Sequence, residues 1–218
     1  KGIAIAEALP SDPADAREAQ YLLARIYDAL GEAVYYGAGI PASAPVYERL
    51  VEITSSYLAA NPDDALGQRL AIEARWALGA TLLGIGRPKD GLREMQAAAT
   101  LVPTLLQYQP EDAGAQRTQR IVYSALAQAL AMSGRFEEGV KLLREELAKS
   151  EEQVRKTSSR PEQVRSYAVT LAMLADLYAD NNIAKEACPL YAKAEQIWLD
   201  LDKRGVLTQL DRDNAQKM

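Results

Sequence analysis

A self-similar unit recurs about every 48 residues along this chain, and that period constrains the fold more than any other feature of the sequence. The order of residue types from Leu23 through Gly31 to Ser43 returns over Leu78 to Gly91, Leu126 to Gly139 and Leu174 to Ala187. With units started at Arg17, Ile72, Arg120 and Ala168, the eighth position is Ala24, Gly79, Ala127 and Ala175, all small. The second half of each unit carries another small residue, Ser43, Gly91, Gly139 or Ala187, followed four positions later by a large one, Tyr47, Met95, Leu143 or Tyr191. Small and large positions that recur together are the mark of paired helices whose backbones approach closely where the small residues lie. A repeat that cannot bury its apolar face alone must stack on its neighbours, so the predicted fold is all-α and built from antiparallel helix pairs.

The residues between the halves, Gly31, Gly86, Gly134 and Asn182, are those that accept a left-handed backbone just past a helix end. Helical faces are visible on both sides: Val164, Tyr167, Leu171, Leu174 and Tyr178 share one stripe, and Val140, Leu143, Leu147 and Val154 share another. Glu137 with Lys141, Glu145 with Lys149 and Glu152 with Lys156 are spaced for i,i+4 pairing. Helices of roughly 18 to 24 residues are expected. The first unit reads as longer than the others by seven residues, and Glu32 to Ala42, with Gly37, Gly39 and Pro41, is expected to be a loop exposing Tyr35 and Tyr36. Breaks fall at Asn61-Pro62-Asp63-Asp64, Gln109-Pro110-Glu111-Asp112 and Ser158-Ser159-Arg160-Pro161. Pro103 and Pro189 lie inside expected helices; Pro103 either kinks its helix or ends it near Val102, and Pro189 is expected to kink its own.

These positions resemble the tetratricopeptide pattern, in which the first helix carries Leu, a small residue and then Tyr, and the second carries Ala, an aromatic and Ala. Leu174, Ala175, Tyr178, Ala187, Tyr191 and Ala194 fit it in register, while Glu146 stands where a small residue is expected. The period exceeds the ordinary repeat of 34 by about 14 residues, close to four helical turns, so the apolar face stays in phase. The resemblance implies a right-handed α-solenoid, with repeats at 14–62 (inserted loop 32–42), 63–110, 111–160 and 161–204. Residues 1–9 are expected to end a helix of a preceding repeat, and 206–218 to form a polar capping helix.

Composition narrows the function. The chain has 218 residues, a net charge of -5, no histidine and one cysteine, Cys188, which reads as a small apolar filler. No basic field is present to hold nucleic acid, and the commonest neutral-pH base and metal ligand are missing. No apolar run reaches the roughly 18 residues of a membrane span. Gly84-Ile85-Gly86-Arg87-Pro88 lacks the Lys-Ser/Thr ending and the preceding strand of a phosphate loop. Paired acids such as Asp63 and Asp64, Glu137 and Glu138, or Glu151 and Glu152 suit helix starts and solvated faces. The expectation is therefore no enzyme, no cofactor and no metal.

In tetratricopeptide proteins the groove is lined from the first helices, and that resemblance implies Tyr21, Arg25, Asp28, Trp76, Leu83, Gln128, Met132, Met173, Asp176 and Asp180 as candidate partner-binding residues. Trp76, Met132 and Met173 form an apolar floor with acidic edges in that reading; in the competing one they are core residues. With Arg25 as its one base, the set lacks the constellation that clamps a C-terminal carboxylate. The expected partner is a protein or peptide, with self-association into a homo-oligomer and a small-ligand pocket as alternatives. The chain also resembles the C-terminal repeat regions of bacterial serine/threonine kinases and membrane-anchored winged-helix regulators. That likeness implies a sensing or recruiting role, periplasmic if the layout is shared and cytoplasmic otherwise.

Overall fold

The computed structural model describes residues 13–110, 112–156 and 160–207. Within them the protein is all-helical: α1 (Pro13–Gly37), α2 (Ile40–Ala60), α3 (Ala65–Gly84), α4 (Pro88–Tyr108), α5 (Ala113–Met132), α6 (Phe136–Lys156), α7 (Pro161–Asp180) and α8 (Ala184–Lys203). No strand occurs among the described residues. The expected segment 1–9 lies outside them, as does the expected capping helix 206–218 except for Val206 and Leu207, which are not helical. The chain divides into two compact units, Lys1–Ala129 and Leu130–Met218, with the boundary near the end of α5.

The helices keep the sequence period. α3, α5 and α7 start at Ala65, Ala113 and Pro161, each 48 residues apart, and α2, α4, α6 and α8 start at Ile40, Pro88, Phe136 and Ala184 with the same spacing. This corrects the first unit. Residues 32–42 are not an inserted loop: α1 runs on to Gly37, and Ala38 and Gly39 alone separate it from α2. Gly31 is not a turn residue but a buried position within α1, against which the ring of Tyr47 packs so closely that a Cβ there would collide with it. The turn is made by Gly39, at φ 94°, as Gly86, Gly134 and Asn182 make the later ones at 78°, 78° and 61°. Gly31, Gly79, Ala127 and Ala175 thus form one series, with Leu30, Leu78, Leu126 and Leu174 preceding them, and the period is 48 throughout. Tyr36 is 85% exposed, as expected, but it stands on α1 with its ring edge-on to Tyr35.

In the first unit, packing follows from the small residues. Gly79 on α3 and Gly91 on α4 meet backbone to backbone: a Cβ on Gly91 would lie 2.8 Å from the Gly79 carbonyl oxygen and 2.7 Å from Leu83 Cγ. Arg75 pairs with Glu94 at 2.9 Å, and Arg69 donates to Gln109 at 3.0 Å, so α3 and α4 run in opposite directions. Between α1 and α2, Arg17 reaches Tyr57 while Gly31 meets Tyr47, and the directions are again opposed. Leu23, Leu50, Ile53, Leu70, Leu78 and Leu82 close one core of this unit; Ile72, Val102, Leu105 and Val122 close another.

Cap aspartates tie the first helices of this unit to one another. Asp64 caps α3 by accepting from the amides of Leu66 (3.0 Å) and Gly67 (3.3 Å), and it also accepts from the Tyr57 hydroxyl and from Arg17 on α1. Forty-eight residues on, Asp112 accepts from Ala115 N at the start of α5 and pairs with Arg69 on α3. Arg160 holds the corresponding place before α7, whose start is set by Pro161 without a side-chain cap.

In the second unit, Tyr178 on α7 accepts from Arg144 on α6 at 2.7 Å and stacks edge-on to Phe136, while Tyr167 donates to Glu151. Tyr167, Leu171 and Ala194 form one core, and Ala168, Trp198 and Leu201 form a second that Val206 and Leu207 extend. Glu146, the misfit to the pattern, is only 13% exposed at its side chain and pairs with Lys149 at 2.6 Å. Pro103 neither ends α4 nor separates a short helix, since α4 continues to Tyr108. Pro189 lies within α8 as expected, and Pro45, in the equivalent place of α2, lies within its helix too. Cys188 is exposed rather than a filler of the core.

Candidate functional site

A cavity of about 400 Å³ in the first unit brings polar groups together around a concave surface. Its walls come from first helices: Asp28 and Glu32 on α1, Arg69, Glu73, Trp76 and Ala77 on α3, and Gly114, Arg117, Thr118, Ile121 and Val122 on α5, with Tyr47 of α2 also lining it. Arg69, Glu73 and Trp76 follow at four- and three-residue steps, so they form one stripe of α3; Gly114, Arg117, Thr118 and Ile121 do the same on α5. The stripes exist because the opposite faces are occupied by the core, with Ile72 and Ala115 fully buried behind them.

The electrostatics are set by half-burial. Burial pushes the Asp28 carboxyl up, Glu32 adds to this and Arg25 opposes it. Glu73 is also pushed up by burial and then by Asp28, against the pull of Arg69, Arg25 and Arg117. Tyr47 is raised to about 12 by burial and by the neighbouring charges of Asp28 and Glu32. Carboxylates held above their ordinary range are short of compensating positive charge. Arg69 is engaged by Asp112, and its buried Nε has no hydrogen-bond partner among the described residues. Arg117 makes no ion pair among the described residues. Trp76 is 36% exposed.

A stability consequence follows from Glu73. Its folded pKa lies above that of the unfolded chain, so ionisation destabilises the fold as pH rises through the unfolded value towards the folded one. Glu73→Gln should therefore raise the thermal midpoint at pH 7, with the gain vanishing below the usual carboxylate range; a midpoint at pH 7 no higher than the parent's overturns this.

Of the ten sequence-derived candidates, Asp28 and Trp76 line the cavity. Tyr21 sits elsewhere, in a smaller depression with Arg17, Glu18, Tyr57, Asp64 and Leu66, its ring 6.1 Å from that of Tyr57. Arg25 is exposed beside the cavity's acids, and Leu83 is half-buried against Gly91, where it packs α3 on α4. Gln128 is exposed on α5. In the second unit Met132 is 61% exposed, Met173 is half-buried, Asp176 accepts from Tyr191 at 2.6 Å and Asp180 is exposed. The lining residues not foreseen are Glu32, Tyr47, Arg69, Glu73, Ala77, Gly114, Arg117, Thr118, Ile121 and Val122.

Among the described residues no group of His, Cys, Asp and Glu is arranged to hold a metal ion, and no helix is long and apolar enough to cross a membrane. The sequence matches no protein-family model and no curated protein.

Proposed function

We propose that this chain is a peptide-binding scaffold, a lengthened tetratricopeptide-type right-handed solenoid that presents its first helices to a partner. The observation that carries this reading is the cavity itself: about 400 Å³, walled by α1, α3 and α5, with a partly exposed tryptophan among charged groups. An aromatic anchor in a partly desolvated recess is where binding energy concentrates in protein interfaces. The 48-residue spacing of helix starts from α2 onward supports the repeat architecture. The resemblance to repeat regions of bacterial signalling proteins supports a recruiting or sensing role, with any catalysis residing in another domain.

A display selection for peptides that bind the chain tests the proposal, with Trp76→Ala as the control. Trp76→Ala should weaken the selected peptides about tenfold or more, since a hot-spot truncation costs upwards of about 2 kcal/mol. Circular dichroism should be unchanged because the side chain is partly exposed. A selection without binders, or binders indifferent to Trp76→Ala, overturns it. The same cavity favours a second reading, a receptor for a small ligand, which holds if small molecules protect the fold thermally and peptides do not. Self-association predicts a mass that rises with concentration in light scattering.

A further inference from the structure

The cavity's charges are sorted along α3. Arg69 stands nearest the helix N-terminus, Glu73 one turn on and Trp76 a further turn, a run of about 10 Å at 1.5 Å per residue. The α1 wall adds Asp28 and Glu32, and the α5 wall adds Arg117. Contacts fix how these meet: Arg69 pairs with Asp112 at the start of α5 and Arg17 pairs with Asp64 at the start of α3, so α1, α3 and α5 begin at the same end. Arg69 and Arg117, which occupy the same place 48 residues apart, therefore lie toward that end, while Asp28 and Trp76, another pair 48 residues apart, lie two turns further along. One end of the cavity offers donors and the other offers carboxylates beside an indole.

We infer that the cavity binds a lysine or arginine residue within a peptide, its side-chain cation between Asp28, Glu32, Glu73 and Trp76, and its backbone carbonyls at Arg69 and Arg117. The inference rests on the peptide-scaffold reading and gives its partner a chemistry. A guanidinium or ammonium group is attracted to indole faces and supplies the positive charge that the raised carboxyls lack. A long basic side chain carries its cation about 7 Å from its own backbone, somewhat more than one helical turn, and the long side chains of Arg69 and Arg117 cover the rest of the distance between the two ends. The arginines select the source of the cation. A polyamine brings positive charge along its whole length and is repelled at Arg117, whereas a peptide brings acceptor oxygens there. The Nε of Arg69 is buried without a hydrogen-bond partner among the described residues, so the guanidinium has donor capacity left beside its pair with Asp112.

Calorimetric titration of the whole chain with blocked peptides of about eight residues tests this, with alanine alternating with arginine, glutamine or glutamate in three parallel peptides. Spermidine is the fourth probe. The arginine peptide should bind at least about tenfold tighter than the glutamine peptide, and Glu73→Gln and Asp28→Asn should each remove about that factor. Arg117→Gln should weaken the arginine peptide and strengthen spermidine, an opposition that a merely structural role would not produce. Equal affinity for the arginine and glutamine peptides, an affinity unaffected by Glu73→Gln, or spermidine binding as tightly as the peptide overturns the inference. If the glutamine or glutamate peptide is preferred and Trp76→Ala abolishes its binding, the cation falls and the scaffold reading stands. If none of the three peptides binds, the inference falls, and the display selection judges the scaffold reading separately. Circular dichroism confirms that each variant is folded, and Glu73→Gln serves should Asp28→Asn not fold.

Discussion

Gly91→Val should destabilise the protein by about 3 kcal/mol, the upper part of the range for overpacking a close contact. At the α3–α4 crossing a Cβ on residue 91 would lie 2.8 Å from the backbone oxygen of Gly79, and backbone cannot rotate aside as a flexible side chain can. Valine adds two further carbons that helical χ1 preferences direct back along α4. Better helix propensity than glycine offsets less than about 1 kcal/mol of this. The crossing is as tight from the other side, since a Cβ added at Gly79 would lie 3.1 Å from the Gly91 carbonyl oxygen and 3.0 Å from Met95 Cε. Chemical denaturation measures the loss, and Gly37→Ala is the control: nothing lies within 4 Å of a Cβ there, so stability should stay level or rise. A Gly91→Val midpoint equal to the parent's removes the close crossing from the account of the fold.

The second large effect is expected at Asp64. Its carboxylate accepts two backbone amides at the start of α3 and the hydroxyl of Tyr57, with Arg17 completing the set, and its side chain is 14% exposed. Asp64→Ala removes the cap and leaves the Tyr57 hydroxyl without this acceptor, costing about 2 kcal/mol. The same group gives the fold an acid limb. Burial alone would raise Asp64, but hydrogen bonds from Tyr57, Arg17 and the amides of Gly67 and Leu66 hold it below the ordinary carboxylate value. A depressed folded pKa contributes stability that is full above the unfolded value, near 3.8, and is lost as pH falls through the folded one. Denaturation of parent and Asp64→Ala at pH 7 and in the acid range should therefore show a gap that narrows below about pH 4. A gap independent of pH would assign the cost to the cap geometry alone.

Among the described residues, helix type and approximate length were legible in the sequence because small and large positions recur with a period that keeps an apolar stripe in phase. The register of the first unit was not. Ala24 and Gly31 are both small, seven residues and about two turns apart, so each suits a helix crossing, and Gly31 followed by a glycine-rich stretch imitates a turn. Tyr47 distinguishes them in space, since its ring needs the space that only a glycine leaves on α1. The seven-residue error carried into the site. Counting the first unit from Ala24 rather than Arg17 puts Glu32 at a groove position and moves Tyr21 out of them, whereas Glu73, Ala77 and Ile121 stand at groove positions in either count and were passed over. The signal was the unbroken interval from Gly31 to Gly79 to Ala127 to Ala175. Arg69 and Arg117 lay beyond any such count, because the added turns extend the groove past the positions that shorter repeats possess.

Arg69 belongs to two structures at once, as the counterion that steadies the first turn of α5 and as a wall of the cavity. An occupant that takes its guanidinium away from Asp112 loosens that turn, and one that uses the spare Nε while leaving the ion pair intact gains a partner without that loss. By reciprocity, whatever firms up the beginning of α5 readies the recess for its guest. The repeat junction is thus a point at which folding and recognition draw on one side chain.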